Sequence, residues 1–326
     1  MLKYTLKRIL YMIPVLFGVR VFVFFLKVVT PGDPTASLLP PTASAEQREA
    51  LREELGLNDP ILKQFWDYVV GIVTRLDFGT SYVTKLPVSQ ELFTRFPKTI
   101  AMGLLTLVIG QLVSNPLGIL AAVKRNTWVD SVIVFFTMLG SSLPNFWLAL
   151  MLITVFSVKL GWLPSMYNGT AASWIMPVIC ASFGAISATA RGVRTFMLEV
   201  IRQDYIRTAK AKGASELSVI IKHAYKNALI PVVSGLGSAL GGLLGGSLIV
   251  ETVFAFPGVG KLVTESVTSR NWPVVQGGTI IMSAYAILIN LIVDIMYTVV
   301  DPRMKTTFVK QKTKKTLPSK QAKEAA

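Results

Sequence analysis

Six stretches of this 326-residue chain are apolar for long enough to cross a bilayer, and nothing else in the sequence narrows its fold as much. A helix needs about 17–25 mainly apolar residues to span hydrocarbon, and inside lipid its backbone groups must bond within the segment. The stretches lie at residues 9–29, 99–123, 131–158, 174–190, 228–250 and 274–300. Charged residues are 16% of the chain, against about 25% for a soluble domain, which suits a protein made for the membrane. The expected fold is an all-α polytopic membrane protein with six transmembrane helices.

A formal net charge of +15 raises the question of nucleic acid, and its distribution answers it. With the N-terminus inside, six spans place both termini and the loops 124–130 and 191–227 in the cytoplasm. Lys and Arg number 21 there, out of 33 in the chain. The segment 30–98 on the opposite side holds 7 basic and 9 acidic residues. That asymmetry follows the positive-inside rule, so the charge reports topology rather than nucleic-acid binding. The residues 304–326 read as a Lys-rich cytoplasmic tail resting on anionic headgroups. Residues 1–29 read as a retained anchor: Lys3, Lys7 and Arg8 precede the apolar run and no small-residue cleavage site follows.

Residues 30–98 are too long for a bare loop and carry their own helix signals. Ser44 with Gln47 makes a capping box and Gly56 a stop, which predicts a helix over 45–55. Asp59 is expected to cap a second helix, with Pro60 at its first position. Ile61, Leu62, Phe65, Trp66, Val69, Ile72 and Val73 follow at helical spacing and predict a packing stripe. The unit is read as a small helical cap over the outer mouth. Trp162, Trp174 and Trp272 are expected at the outer interface, and Trp128 at the inner one.

Chemistry of the catalytic kind is missing. The closest approach to a phosphate loop, Gly258-Val259-Gly260-Lys261, lacks both the hydroxyl residue after the lysine and the first glycine. With His223 the single histidine and Cys180 the single cysteine, most metal and acid–base constellations are excluded, so neither an enzyme nor a cofactor is expected. Arg20 is the only ionisable residue deep in a span; it either pairs with a carboxylate or faces an aqueous path. In the fifth span Gly237, Gly241 and Gly245 strip one helix face, for packing within the chain or against a second subunit along the pathway.

Residues 203–228 read as two short helices around a break. Asp204 is expected to cap the first, which runs to about Lys212; Gly213 interrupts, and Ser215 caps the second. Leu217, Ile220, Ile221, Ala224 and Ala228 recur at helical spacing in the second. The first sets the small residues Thr208, Ala209 and Ala211 between the cations Arg207, Lys210 and Lys212. Small residues let a partner surface approach, and the cations orient it.

This segment resembles the cytoplasmic coupling loop of ABC importer permeases, in the form found in the dipeptide/oligopeptide/nickel branch, B-type subunit. Further pieces fall in that family's order: TPGDP at Thr30, LGLNDP at Leu55, LPNFW at Leu143, KLGWLP at Lys159, ETVFAFPGVGKL at Glu251, NWPVVQG at Asn271 and DPR at Asp301. The general importer signature has Glu-Ala-Ala where this chain has Arg207, Thr208 and Ala209, so the glutamate contact does not carry over. The resemblance implies a type I importer fold, with core 99–303 following the insertion 30–98. It implies ATPase docking through Asp204, Tyr205, Arg207, Thr208, Ala209, Lys210, Ala211, Lys212 and Gly213. The implied partners are a second homologous permease, two ABC ATPases that hydrolyse the ATP, an extracytoplasmic substrate-binding protein and membrane lipid. The implied location is the bacterial cytoplasmic membrane. Peptides are the expected cargo; nickel or a metal chelate is the alternative within the branch, and a gradient-driven carrier the rival class.

Overall fold

The computed structural model describes residues 2–229 and 248–300. Among these the regular structure is helical, apart from one bridge between Thr80 and Pro87. The first long helix is α1 (Leu2–Val29). Three short helices follow: α2 (Thr35–Leu38), α3 (Ala45–Glu54) and α4 (Ile61–Arg75). The longest is α5 (Val88–Val123), and α6 (Trp128–Ser142), α7 (Asn145–Leu152) and α8 (Ala172–Val200) come after it. The short α9 (Asp204–Ala211) and α10 (Glu216–Ser218) precede α11 (Val259–Thr268) and α12 (Trp272–Val300).

Four helices, α1, α5, α8 and α12, are each long and apolar enough to cross a membrane. The expected straight span 131–158 is instead a pair bent by 107°: α6, and a second arm Asn145–Lys159 made of α7 and the π-helical Ile153–Lys159 that continues it. The bend sits at Leu143-Pro144, where Leu143 is extended (φ −78°, ψ 126°). Proline removes an amide donor and pushes the residue before it out of the helical region. Counting that pair as one span gives five, and most of the sixth stretch, 228–250, lies outside the described residues. The second span also begins earlier than its apolar core. At 36 residues α5 is ~54 Å long, well beyond a hydrocarbon layer of ~30 Å.

Among the described helices, α5 and α8 pack together most extensively. A Cβ on Gly118 of α5 would stand 2.6 Å from both the Ala190 carbonyl oxygen and the Val193 Cβ of α8, so only glycine lets the two backbones come this close. Asp130 and Arg194 tie α6 to α8, as do Arg191 and the Thr137 carbonyl. Arg191 also donates to the Ser141 hydroxyl at 2.8 Å.

The helical cap forms largely as expected, with corrections. The Ser44–Gln47 capping box is present in both directions, at 3.2 and 3.0 Å. Asp59 does not cap α4; its carboxylate takes the Lys63 ammonium at 2.9 Å, and Pro60 occupies the cap position. The packing stripe is narrower and rotated. Phe65, Val69 and Ile72 turn inward with Gln64 and Tyr68, while Ile61, Leu62, Trp66 and Val73 are exposed. Phe65 meets Phe17 and Phe24 of α1 edge-on, so α4 lies against the first span rather than above it.

Among the described residues Arg20 has no carboxylate partner. Only 4% exposed, its guanidinium carbon lies 4.0 Å from the Tyr68 ring centroid and 5.0 and 5.3 Å from those of Phe24 and Phe65. Among the described residues an aromatic cage receives the charge. Lys27 donates to the Gln64 amide oxygen at 2.8 Å. Trp272 is not an interface anchor either: it is buried against Val23, Tyr82 and Val275.

Candidate functional site

The basic segment is built on a buried root. Ile206, in the middle of α9, is 1% exposed and packs with Ala122 at the end of α5, Val193 and Met197 of α8, and Val219, Ala224 and Ala228 beyond the break. Around it Asp204, Tyr205, Arg207, Thr208, Lys210, Ala211, Lys212 and Gly213 are exposed. One apolar peg thus holds a helix whose remaining surface is cationic and small. Burying an isoleucine contributes roughly 1.5–3 kcal/mol, enough to hold an eight-residue helix that would not persist alone.

Three details differ from the sequence reading. The cap of α9 is Gln203, in extended conformation, and Asp204 is the first helical residue; its negative charge still favours the helix N-terminus. Ala209 is half-buried and packs into the Ile206 cluster, so the exposed small residues are Thr208 and Ala211. Beyond the break, the buried face is Val219, Ala224 and Ala228 with Ile220 half-buried, while Leu217 and Ile221 are exposed. The offset follows from the local geometry: Val219–Tyr225 is a π-helical turn, which rotates the face away from a 3.6-residue register.

The break itself forms as its residues require. Gly213 has φ +80°, a left-handed conformation that glycine adopts without a Cβ clash. The Gly213 amide donates to the Lys210 carbonyl at 2.9 Å, and the Ala214 amide to the Ala209 carbonyl at 3.2 Å. These are the paired bonds of a Schellman cap, and they satisfy the end of α9. Ser215 then caps α10, accepting from the Ser218 amide at 3.4 Å. Asp204 and Arg207 are 3.9 Å apart and both exposed, so that pair adds little.

A second constellation, which sequence reasoning passed over, stands at the other end of α5. Glu251 is fully buried. Its carboxylate accepts from the Thr99 hydroxyl at 2.9 Å and from the Lys261 amide at 3.0 Å. The Thr99 oxygen in turn accepts from the Val259 amide at 2.9 Å. A Cβ on Gly258 would overlap the Glu251 carboxylate, and one on Gly260 would lie 2.8 Å from Oε2. The glycines that imitate a phosphate loop therefore make room for a carboxylate of the same chain. Beside this latch Phe256 packs edge-on against Trp174 and Tyr167, with centroids 4.7 and 5.0 Å away. The signal was present in sequence as an acid seven residues before Gly258-Val259-Gly260. Nearby, Asn271 joins α12 to the loop before α5: its amide oxygen accepts from the Tyr82 amide at 2.9 Å, and its NH2 donates to the Ser81 hydroxyl at 2.8 Å.

Gly237, Gly241 and Gly245 lie outside the described residues. Among the described residues no group of His, Cys, Asp and Glu is placed to hold a metal ion. Cys180 is buried, its thiol 3.4 Å from the Asn145 carbonyl oxygen.

Comparison with known proteins places these features in a family. Residues 114–306 match the family described as binding-protein-dependent transport system inner membrane component, and residues 1–103 match the N-terminal family of such membrane components. The glutathione transport system permease proteins GsiC of Escherichia coli K12 and of Salmonella typhi are each 41% identical over 305 residues, covering 94% of this chain and 99% of theirs. Among solved structures, the inward-facing MetNI methionine ABC transporter resembles the fold in two crystal forms, CY5 native and CY5 with a SeMet soak. The TM-scores are 0.55 and 0.57 at 22% identity, over 65% of this chain and 97% of the other. With the family match extending over more than half its length and relatives at 41% identity, the chain belongs to the binding-protein-dependent transport system inner membrane components and is a permease subunit of an ABC importer.

Proposed function

We propose that the chain forms one half of a transmembrane pathway for di- and oligopeptides. In this reading it pairs with a second, homologous permease, is driven by two ATPases, and receives cargo from an extracytoplasmic binding protein. The cargo class rests on 41% identity to permeases of glutathione, itself a short peptide. Both termini and the loop 191–227 face the cytoplasm, since 21 of the 33 basic residues then lie on that side. Residues 30–98 form the extracytoplasmic insertion, 99–303 the permease core and 304–326 a basic cytoplasmic tail.

The observation that carries the coupling role is the rooting of α9 through Ile206 between α5 and α8, with its cationic face left open. A subunit gripping Arg207, Thr208, Lys210, Ala211, Lys212 and Gly213 displaces the peg, and the peg displaces the close-packed α5–α8 pair. ATP closure on the partner becomes rigid-body motion of the spans. ATP binds the ATPases, and this chain supplies the lever.

Ala211→Trp is the clean probe, because Ala211 is exposed and a bulky residue there obstructs a partner without disturbing the core. Co-purification of the ATPases is expected to fall at least tenfold with membrane insertion unchanged, and Gly213→Asp to act likewise. Unchanged co-purification with Ala211→Trp would refute docking at α9. Peptide uptake by proteoliposomes of the complex is expected to require ATP and the binding protein; uptake without ATPases would refute the motor.

A further inference from the structure

Between α1, α11 and α12 runs a groove of about 720 Å³, within the range of roughly 300–1,000 Å³ typical of ligand sites. Its walls are apolar: Phe22, Val23 and Leu26 from α1, Val267 from α11, and Val275 from α12. The Thr279 hydroxyl in this wall donates to the Val275 carbonyl at 2.7 Å, so it is satisfied within its own helix.

The mouth is different in kind. Thr30, Thr268 and Arg270 stand at it. Arg270 has φ +55°, and its guanidinium lies flat over Gly32, where a Cβ would overlap it. Its Nη2 donates to the Pro31 carbonyl at 3.2 Å. No carboxylate among the described residues pairs with this half-buried cation. Its remaining N–H donors stay available in a planar fork, the geometry that receives a phosphate.

Length supplies the third constraint. Along α1 the lining runs from Thr30 down to Val19, and along α12 from Trp272 down to Ser283. Each is eleven helical steps, or ~16 Å. That is one leaflet of a hydrocarbon core ~30 Å thick.

We propose that this groove binds one membrane phospholipid, its phosphodiester on Arg270 and an acyl chain between α1 and α12, in the leaflet away from the basic segment. Arg270 holds the end of α1 to the α11–α12 turn through Pro31, so a phosphate on the same guanidinium braces the first span against the core.

The assembled complex in nanodiscs containing a phosphatidylglycerol with a photoreactive group on its acyl chain tests this. Cross-linked peptides are mapped by mass spectrometry, with exposed Phe135 of α6 as reference for lipid that merely surrounds the protein. Cross-links are expected at Phe22, Val267 and Val275 in excess of Phe135. Arg270→Gln is expected to reduce them at least fivefold with the Phe135 signal unchanged. Thr279→Phe, which fills the groove but keeps Arg270, is expected to remove the cross-link at Phe22, which lies farther from the mouth than Val275. Groove labelling no greater than at Phe135, or labelling indifferent to both variants, would overturn the proposal. So would protection of these residues by a span of the second permease.

Discussion

Asp130 at the start of α6 and Arg194 on α8 form a two-pronged pair, Nε to Oδ1 at 2.7 Å and Nη2 to Oδ2 at 2.8 Å. Asp130 is 5% exposed, and its Oδ2 also accepts from the Asn126 amide at 3.1 Å. The pair fastens the α5–α6 loop to α8 just before the basic segment. Arg194→Lys keeps the charge and loses the fork, which costs about 1–3 kcal/mol for hydrogen bonds to a charged group. A lowered unfolding midpoint of the detergent-solubilised protein is expected for Arg194→Lys and Asp130→Asn. Arg194→Gln should lower it as well, and the double variant Asp130→Asn/Arg194→Gln should lose less than Asp130→Asn and Arg194→Gln together, because neither partner is then left as an uncompensated buried charge. Strict additivity would show that the pair does not couple.

Thr99 is the relay of the Glu251 latch, donating to the carboxylate and accepting from the Val259 amide. Thr99→Val keeps the shape and strands both partners, so a loss of about 2 kcal/mol is expected, while Thr99→Ser stays near wild type. Gly260→Ala is also expected to destabilise, by about 1–3 kcal/mol. Its added carbon meets the Leu248 Cα at 2.9 Å, and backbone cannot step aside as a side chain does. Thermal unfolding monitored by intrinsic fluorescence separates the three.

The contrast between these sites explains what the sequence made legible. The Ser44 capping box, the Gly213 break and the Ser215 cap formed where they were expected, since each is decided by residues within a few positions. The Asp130–Arg194 pair joins residues 64 positions apart and the Thr99–Glu251 bond 152, and no spacing rule brings such residues together. Ala209 and Trp272 went the wrong way for a related reason. A small residue among cations and an aromatic at a span end both suit a surface, and only the packing around Ile206 and Val23 turned them inward. Pro144 was the local signal that went unused: it breaks the third apolar stretch, which hydropathy alone reads as continuous.

Asp33 predicts a pH response in the helical cap. Burial alone would raise its carboxyl, but bonds from the Thr35 amide at 2.9 Å and the Arg52 guanidinium at 2.8 Å outweigh that and hold it below the usual carboxylate range. A carboxyl depressed by folding adds stability that is fully present above its unfolded pKa and lost as pH falls through the lower, folded one. Protection of the α3 amides from hydrogen exchange is therefore expected to fall on acidification below the ordinary carboxylate range. Asp33→Asn should show weaker protection at neutral pH and a flatter acid response; an unchanged acid response would assign the loss to other carboxyls.

The caged Arg20 makes the sharpest test of how this chain tolerates a cation inside an apolar bundle. Its Nε and Nη1 have no hydrogen-bond partner, and neither does the Tyr68 hydroxyl, so the ring face is the main compensation for a charge that is 4% exposed. A desolvated cation–π contact contributes about 2 kcal/mol. Tyr68→Leu removes it and leaves the charge, so this single change is expected to destabilise by at least that amount. Arg20→Leu removes a buried charge and supplies apolar volume, so its cost should be small or its effect stabilising. The double variant should then be more stable than Tyr68→Leu alone, a reversal of sign that ordinary packing loss cannot give, since two cavities in contact do not repair one another. Unfolding midpoints of the three variants in one detergent decide it: a double variant worse than Tyr68→Leu would mean that Arg20 is held by something other than the rings.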